Sequence, residues 1–192
     1  MDYTPAARRI ILRHWALKND MASPEKRHLE ELLKPLLRSK GFKKRGATWW
    51  RHLDGFIQVI NIQGSQWSKK FNINLGVYIC RLGDKEFPAD PDCHVRRRLE
   101  GICGSESGIL ELLNYEDFAP DELPRATLLD MVEQRGLPWL DSCSTFEGSK
   151  AEYTLPNRVM TKWQRELLDD YFAQHAAAHD GESAGTPSPS IS

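Results

Sequence analysis

The chain has 192 residues, 40% of them apolar, with 26 basic and 27 acidic side chains. This length and composition predict a single domain with a hydrophobic core, and 13 glycines and 11 prolines exclude a collagen-like chain. No apolar run approaches the ~20 residues that a transmembrane helix needs. The short run at 10–12 is followed by Arg13 and His14, which does not suit a signal peptide, so we expect a cytoplasmic protein.

The near-neutral net charge conceals an uneven distribution. Residues 1–52 carry 13 Lys/Arg against 5 Asp/Glu, whereas residues 53–192 carry 13 against 22. A basic segment can attract phosphates, but Lys26, Arg27, Lys34 and Arg38 are typical of the solvated face of a helix. Because the remainder is acidic and the pI is about 6.6, nucleic acid is the least favoured partner.

Cysteine spacing argues against a metal site and against disulfides. The apolar neighbours of Cys80 and Cys103 predict buried thiols, and a chain without an export signal is not expected to carry disulfides. Cys93 and His94 would supply two zinc ligands, but no second pair lies at structural-zinc spacing. We therefore predict neither a bound metal nor another cofactor.

The two ends of the chain differ in composition from the middle. Residues 1–22 form an N-terminal extension, in which 6–18 have the pattern of a short basic amphipathic helix. That segment would lie on a membrane surface, on a partner or on the domain itself, or it precedes the true start at Met21. From Asp180 the sequence turns to Gly, Ser, Pro and Thr, which predicts a disordered tail over 180–192. The single domain is then 23–179.

The first clear element is a helix that begins at Ser23. A serine cap followed by Pro24 is a typical helix N-terminus. Leucines recur at helical spacing and predict one buried stripe, at Leu29, Leu32, Leu33, Leu36 and Leu37. Pro35 is predicted to kink or end the regular helix, and Gly41 to stop it.

Three strands follow. They are predicted at 47–52, 56–62 and 71–80, with Asp54–Gly55 as the turn of a hairpin between the first two. Alternation in the third strand places Phe71, Ile73, Leu75, Val77 and Ile79 on one face and Asn72, Asn74, Gly76 and Tyr78 on the other. Strands joined in this way form an antiparallel meander whose apolar face must be covered by helices.

The remainder of the chain is predicted to be mainly helical. Segment 93–103 does not distinguish a short helix from an extended strand. Helices or helical turns are predicted at 107–114, 124–135 and 137–141, and a last helix runs from Asn157 to about Gln174 with Val159, Trp163, Leu167 and Tyr171 on one side. The fold class is therefore α+β: an antiparallel meander of three or more strands covered by helices, plus a C-terminal helix.

One polar constellation is the candidate for ligand or partner binding. One surface is predicted to combine three groups: carboxamides of the third strand, polar residues just before it, and the His-x-Arg-x-Arg alternation after it. The guanidinium of arginine presents a fork of N–H donors that matches the oxygens of an anion. The alternative is that these groups only tie down loops and bridge acidic helices. The candidates are Gln63, Ser65, Trp67, Asn74, His94, Arg96 and Arg98.

Several unusual motifs in order resemble a known family. They are Gly41–Lys44, Trp49–Arg51, Gln63–Trp67, Asn74–Val77 and His94–Leu99. With this spacing, roughly residues 24–145 resemble the bacterial domain of unknown function 4304 family. The resemblance implies a bacterial α+β domain and carries no established activity, substrate or catalytic residue.

Two classes of function remain. The first is a non-enzymatic binding or interaction module that recognises another bacterial protein, with a toxin-neutralising partner as a concrete version, because no nucleophile–base pair or metal set can be assembled from the sequence. The second is a small-molecule or nucleotide-binding enzyme that uses the Gln/Asn/His/Arg cluster. A concave pocket holding those side chains favours the second class, and a flat or apolar exposed patch favours the first.

Overall fold

The computed structural model describes residues 24–65, 70–104, 107–114, 122–156, 160 and 162–182, with the backbone alone at 122–124 and 175–182. The expected cap at Ser23, the N-terminal extension, Trp67, Asn157 and the tail from 183 onwards lie outside the described residues. The proposed domain limits stay predictions, and the expected start of the tail at Asp180 falls within the last helix.

Among the described residues, one α-helix precedes the five strands and the other α-helices follow them. The order is α1 (Pro24–Ser39), β1 (Lys43–Arg45), β2 (Thr48–Leu53), β3 (Phe56–Gly64), β4 (Phe71–Ile79), β5 (Val95–Arg98), α2 (Leu99–Cys103), α3 (Ile109–Leu112), α4 (Glu122–Met131), α5 (Leu137–Cys143), α6 (Phe146–Tyr153) and α7 (Lys162–Glu182). A π-helical turn, Val132–Gly136, joins α4 to α5. The predicted α+β class is confirmed.

The sheet is an antiparallel meander with the order β1-β2-β3-β4-β5. The three predicted strands are its centre, and the turn between β2 and β3 is the predicted one, with Gly55 at a φ of +74°. The short edge strands β1 and β5 were not assigned from the sequence. Segment 93–103, for which the sequence allows a short helix or an extended strand, contains both, because β5 is followed directly by α2.

Helix α1 packs on one face of the sheet through its leucine stripe. Leu29, Leu33 and Leu37 are fully buried there. The helix continues through Pro35 to Ser39, so of the two alternatives at Pro35 the early end is wrong, and the kink stays a prediction. It stops at Gly41, whose φ of +86° lets the N–H of Phe42 return to the carbonyl of Leu37 at 2.9 Å.

The same face carries the main core. Phe71, Ile73, Leu75 and Val77 of β4 are buried in it together with side chains of α2, α4 and α5. Gly136, in the π-helical turn, lies so close to β4 and α2 that an added Cβ would meet Leu99 at 3.1 Å. The absence of a side chain there allows this helical layer to approach the sheet.

The opposite face is also covered, by the β4–β5 loop. A second apolar cluster comprises Trp50, Ile57, Val59, Tyr78 and Cys93. The indole of Trp50 donates to the carbonyl of Pro88 at 2.8 Å, and Phe87 packs edge-on against the same ring. The loop shields only part of this face, and the polar part next to β5 is where the candidate residues lie.

Helix α7 packs at the end of β4. Leu168, Tyr171 and Phe172 bury against Ile79. Trp163, which is predicted to lie on the same side of this helix as Tyr171, is 64% exposed, whereas Tyr171 is buried.

Cysteine burial differs from the expectation. Cys80 is exposed and Cys103 is partly buried, whereas Cys93 and Cys143 are the buried thiols. The apolar neighbour of Cys80 was misleading because β4 ends at Ile79 and the chain turns outward at the next residue. All four are thiols. In the described part of the chain, no helix has the length and apolar character needed to cross a bilayer.

Candidate functional site

A cavity of about 510 Å³ lies along β5, the edge strand of the sheet. On the sheet side it is lined by five of the candidate residues, Gln63, Asn74, His94, Arg96 and Arg98. Asp90 and Glu152 also border it, and the far side is formed by Tyr153, Pro156, Met160 and Gln164. A concave site holding five of the seven candidates is therefore present, which is the feature expected of a small-molecule site and not of a flat protein-binding surface.

Strand register explains why these side chains meet. β4 and β5 pair antiparallel, with Asn74 opposite Arg98 and Gly76 opposite Arg96. Residues directly opposite in such a pair share a face. Because Leu75 and Val77 point into the main core, Asn74, Arg96 and Arg98 lie on the other face.

Gln63 reaches this group from β3. Its Oε1 accepts a hydrogen bond from Nδ2 of Asn74 at 3.2 Å. Asn74 is only 6% exposed. Among the described residues, no hydrogen bond is made by the Gln63 Nε2 or by the Asn74 Oδ1, so one donor group and one acceptor remain available to a ligand.

His94 is held in one tautomer. Its Nδ1 accepts the backbone N–H of Ile79 at 2.9 Å, so the neutral ring carries its proton on Nε2. The ring lies 4.7 Å from that of Tyr78 and is 5% exposed. Burial lowers the pKa of His94 to about 4. The imidazole is therefore neutral at physiological pH and presents a donor at Nε2.

Arg96 forms an ion pair with Asp90, which lies in a 3₁₀ turn (Asp90–Asp92) before β5. Nε donates to Oδ1 at 3.2 Å and Nη2 donates to Oδ2, so the pairing is bidentate. The Asp90 side chain is only 9% exposed. Arg96 therefore compensates a nearly buried carboxylate and fixes the β4–β5 loop.

Two further arginines form ion pairs without a hydrogen bond to the carboxylate oxygen. Nη1 of Arg97 lies 3.5 Å from Oε1 of the buried Glu152 on α6. Nη1 of Arg98 lies 3.8 Å from Oε1 of Glu100, beyond hydrogen-bond distance, and the Arg98 side chain is 58% exposed. Of the three consecutive arginines, Arg98 has the most weakly engaged guanidinium.

Of the described candidates, Ser65 is not part of the cavity wall. Ser65 closes the loop before β4 through its N–H, which donates to the carbonyl of Lys70 at 2.7 Å, and Trp67 lies outside the described residues. Sequence analysis missed the far wall, since Tyr153, Pro156 and Met160 lie some sixty residues from β5 and only folding brings them there. Asp90 was the one missed residue with a local signal, a carboxylate close to an arginine run.

Within the described ranges, no group of three or more His, Cys, Asp and Glu side chains is placed to hold an ion. Burial raises the pKa of the Cys93 thiol well above its usual value, so the thiol next to His94 stays protonated.

Comparison with known proteins gives two family matches. The model described as Domain of unknown function (DUF4304) matches residues 33–142, more than half of the chain. The TilS substrate binding domain model matches residues 2–52. No curated protein and no solved structure matches the chain. The first match includes the sheet wall of the cavity and ends before Glu152, Tyr153 and the rest of the far wall.

Proposed function

We propose that this chain, which belongs to the DUF4304 family, is a non-enzymatic module. It binds a small anionic molecule in the cavity along β5. The observation that carries the proposal is the convergence of Gln63, Asn74, His94 and Arg98 on one concave site. Their remaining hydrogen-bonding capacity consists mainly of donors, which suits the oxygens of a carboxylate or a phosphate.

Charge pairing supports an anion over a cation. Of the two carboxylates at the cavity, Asp90 accepts two hydrogen bonds from Arg96, whereas Oε1 of Glu152 forms a longer ion pair, 3.5 Å from Nη1 of Arg97 and outside hydrogen-bond geometry. Arg98 is held only at 3.8 Å from Glu100. A ligand that brings an anionic group to Arg98 therefore meets an exposed guanidinium without displacing a buried ion pair.

Binding is favoured over proton transfer because of the state of His94. A general base needs an unprotonated nitrogen within reach of the substrate. The only such nitrogen of His94, Nδ1, already accepts the N–H of Ile79. The imidazole can orient a ligand through Nε2–H but has no free lone pair to accept a proton from it, which supports binding over general-base catalysis by His94.

The test is a titration with acetate and with inorganic phosphate, in which binding is monitored by NMR chemical shifts and by calorimetry. We expect shifts at the side-chain amides of Gln63 and Asn74. Arg98→Ala should weaken binding by about tenfold or more, as expected for the loss of a hydrogen bond to a charged group. It should leave the free energy of unfolding nearly unchanged because the side chain is exposed.

Arg45 offers a matched control. It is an exposed arginine on β1, at the opposite edge of the sheet. Arg45→Ala should leave the affinity for both anions unchanged. Equal weakening by Arg45→Ala and Arg98→Ala, or no binding of either anion to the wild type, would overturn the proposal.

A second candidate is contact with a partner protein at the mouth of the cavity. Leu155 and Trp163, each next in sequence to a residue that lines the cavity, are exposed large apolar side chains. Such residues are typical of protein contacts. Recognition of another protein, with neutralisation of a toxin as its narrower version, would use this surface.

Pull-down with three forms of the full chain tests this candidate. A specific partner should be captured by the wild type and by Arg98→Ala, and lost with Trp163→Ser. For the toxin version, the captured protein must arrest growth when expressed alone and fail to do so when co-expressed with this chain. Equal capture by Trp163→Ser would exclude this surface.

A further inference from the structure

The cavity along β5 has two chemically different walls. The sheet wall is polar, with Gln63, Asn74 and Arg98. The opposite wall contains three mainly apolar side chains, Tyr153, Pro156 and Met160, together with the amide of Gln164 at the start of α7. A ligand that fills this space touches hydrogen-bonding groups on the sheet side and the apolar surface of these three side chains on the other.

Tyr153 belongs to the apolar wall despite its hydroxyl. That hydroxyl donates to Oδ1 of Asp169 on α7 at 2.6 Å, and the ring packs against Phe172 with centroids 5.3 Å apart. The phenol is thus anchored at its polar end, and the ring is what remains for contact. Met160 adds an adaptable thioether next to it, which accommodates apolar groups of various shapes.

Cavity size separates two kinds of anion. A volume of about 510 Å³ lies in the range of sites for drug-sized molecules and is far larger than a phosphate or acetate ion. A bare anion would satisfy Arg98 and leave the apolar wall in contact with water. An anion with an apolar body would bury that wall, which improves affinity by about fourfold per methylene.

We propose that the ligand of this cavity is an amphipathic anion, whose carboxylate or phosphate group pairs with Arg98 and whose apolar body packs on Tyr153, Pro156 and Met160. This inference rests on the proposed anion-binding function and adds the class of molecule. The charged group lies at the Asn74 end of β5, where Arg98 is the register partner of Asn74.

The test compares a homologous series of acids by calorimetry on the full chain: acetate, butyrate and hexanoate, with hexyl phosphate and hexanamide alongside. In the wild type, Kd should fall about fourfold per methylene from acetate to hexanoate. Hexanamide, which has the same body without charge, should bind at least tenfold more weakly than hexanoate. The ratio of the Kd values for hexanoate and hexyl phosphate identifies which anionic group the site prefers.

Two variants assign the two ends of the ligand. Arg98→Gln should weaken every acid by the same factor and leave the dependence on chain length intact. Met160→Ser should flatten the chain-length dependence and leave acetate binding unchanged. Equal affinity for acetate and hexanoate would overturn this inference and leave the anion-binding function standing. Failure of all the acids to bind would overturn both, and hexanamide binding as tightly as hexanoate would overturn the anionic character.

Discussion

The Nδ1 atom of His94 accepts the backbone N–H of Ile79 at 2.9 Å, so a side chain substitutes for the strand that no longer pairs with β4 at this point. Val77 is the last β4 residue in register with β5, opposite Val95. The imidazole thus satisfies a buried donor at the end of the ladder and is fixed beside the cavity. Its role as a hydrogen-bond acceptor depends on its being neutral.

Stability should depend on pH through this group. Burial lowers the pKa of His94 from 6.5 to about 4 in the folded chain. Between these values the unfolded chain binds the extra proton, so stability is complete above about pH 6.5 and falls as the pH drops toward 4. The shift corresponds to about 3 kcal/mol, measured as the free energy of unfolding in urea across this range.

His94→Asn is the matched variant for that measurement. An asparagine Oδ1 can replace the accepting Nδ1, but the side chain does not titrate. Carboxylates contribute a slope of the same sign in both proteins, so the difference between them isolates His94. Identical pH profiles for the wild type and His94→Asn would contradict the prediction.

Arg96 should act mainly on stability. Removing its guanidinium leaves Asp90 nearly buried without its bidentate partner. Because the pair is partly exposed on the arginine side, we expect Arg96→Ala to lower the free energy of unfolding by about 1–3 kcal/mol. Restoring stability with the double variant Arg96→Ala/Asp90→Asn would confirm the cause, and an unchanged melting temperature for Arg96→Ala would refute it.

Gln58 should be essential to a buried network between β3 and α5. It is fully buried, accepts from Nε of Arg51 at 2.7 Å and donates to Oδ1 of Asp141 at 3.1 Å and to Oγ of Ser144 at 2.9 Å. Gln58→Leu removes three hydrogen bonds at a buried position, while the Arg51–Asp141 ion pair remains, and should cost about 1–3 kcal/mol in urea denaturation.

Gln174 is the control for that substitution, since it is an exposed carboxamide on α7. Gln174→Leu should change stability by no more than about 0.5 kcal/mol. Equal losses for the two variants would show that the loss at Gln58 does not come from burial.

Core truncations should separate the buried leucines from the exposed one. Leu33 on α1 and Leu75 on β4 are fully buried on the two sides of the main core. Each change to alanine should cost about 2–5 kcal/mol because the cavity collapses only partly. Leu53→Ala, at an exposed position on β2, should have a small effect in the same assay. Unmoved denaturation midpoints for Leu33→Ala and Leu75→Ala would refute the assigned core.

A glycine on β4 should be irreplaceable for a steric reason. A Cβ at Gly76 would lie 2.7 Å from Sγ and 2.8 Å from Cβ of the buried Cys93. Gly76→Ala should therefore destabilise the fold by about 1–3 kcal/mol through overpacking. Gly64→Ala, at a strand position with open space around it, should be nearly neutral. Thermal melts of the two variants that coincide would count against this contact.

The spacing of apolar residues determined those elements whose buried face can be recognised within a single helix or strand. The leucine stripe of α1 and the alternation in β4 follow directly from the spacing of apolar residues, and Asp54–Gly55 specified the hairpin. The same alternation placed Asn74 away from the core. The His-x-Arg-x-Arg alternation likewise predicted that His94, Arg96 and Arg98 share one face of an extended segment.

Tertiary structure decided how those elements meet. The strand β5 has only four residues and three of them are arginines, so propensity could not identify it, and pairing with β4 provides its stability. Arg96 and Arg98 differ in role because of their acidic neighbours. The path of the β4–β5 loop brings Asp90 into contact with Arg96, whereas Glu100 stays 3.8 Å from Arg98. The apolar wall at Tyr153 and Met160 has no sequence signal, because its contact with β5 spans some sixty residues and exists only once the chain has packed.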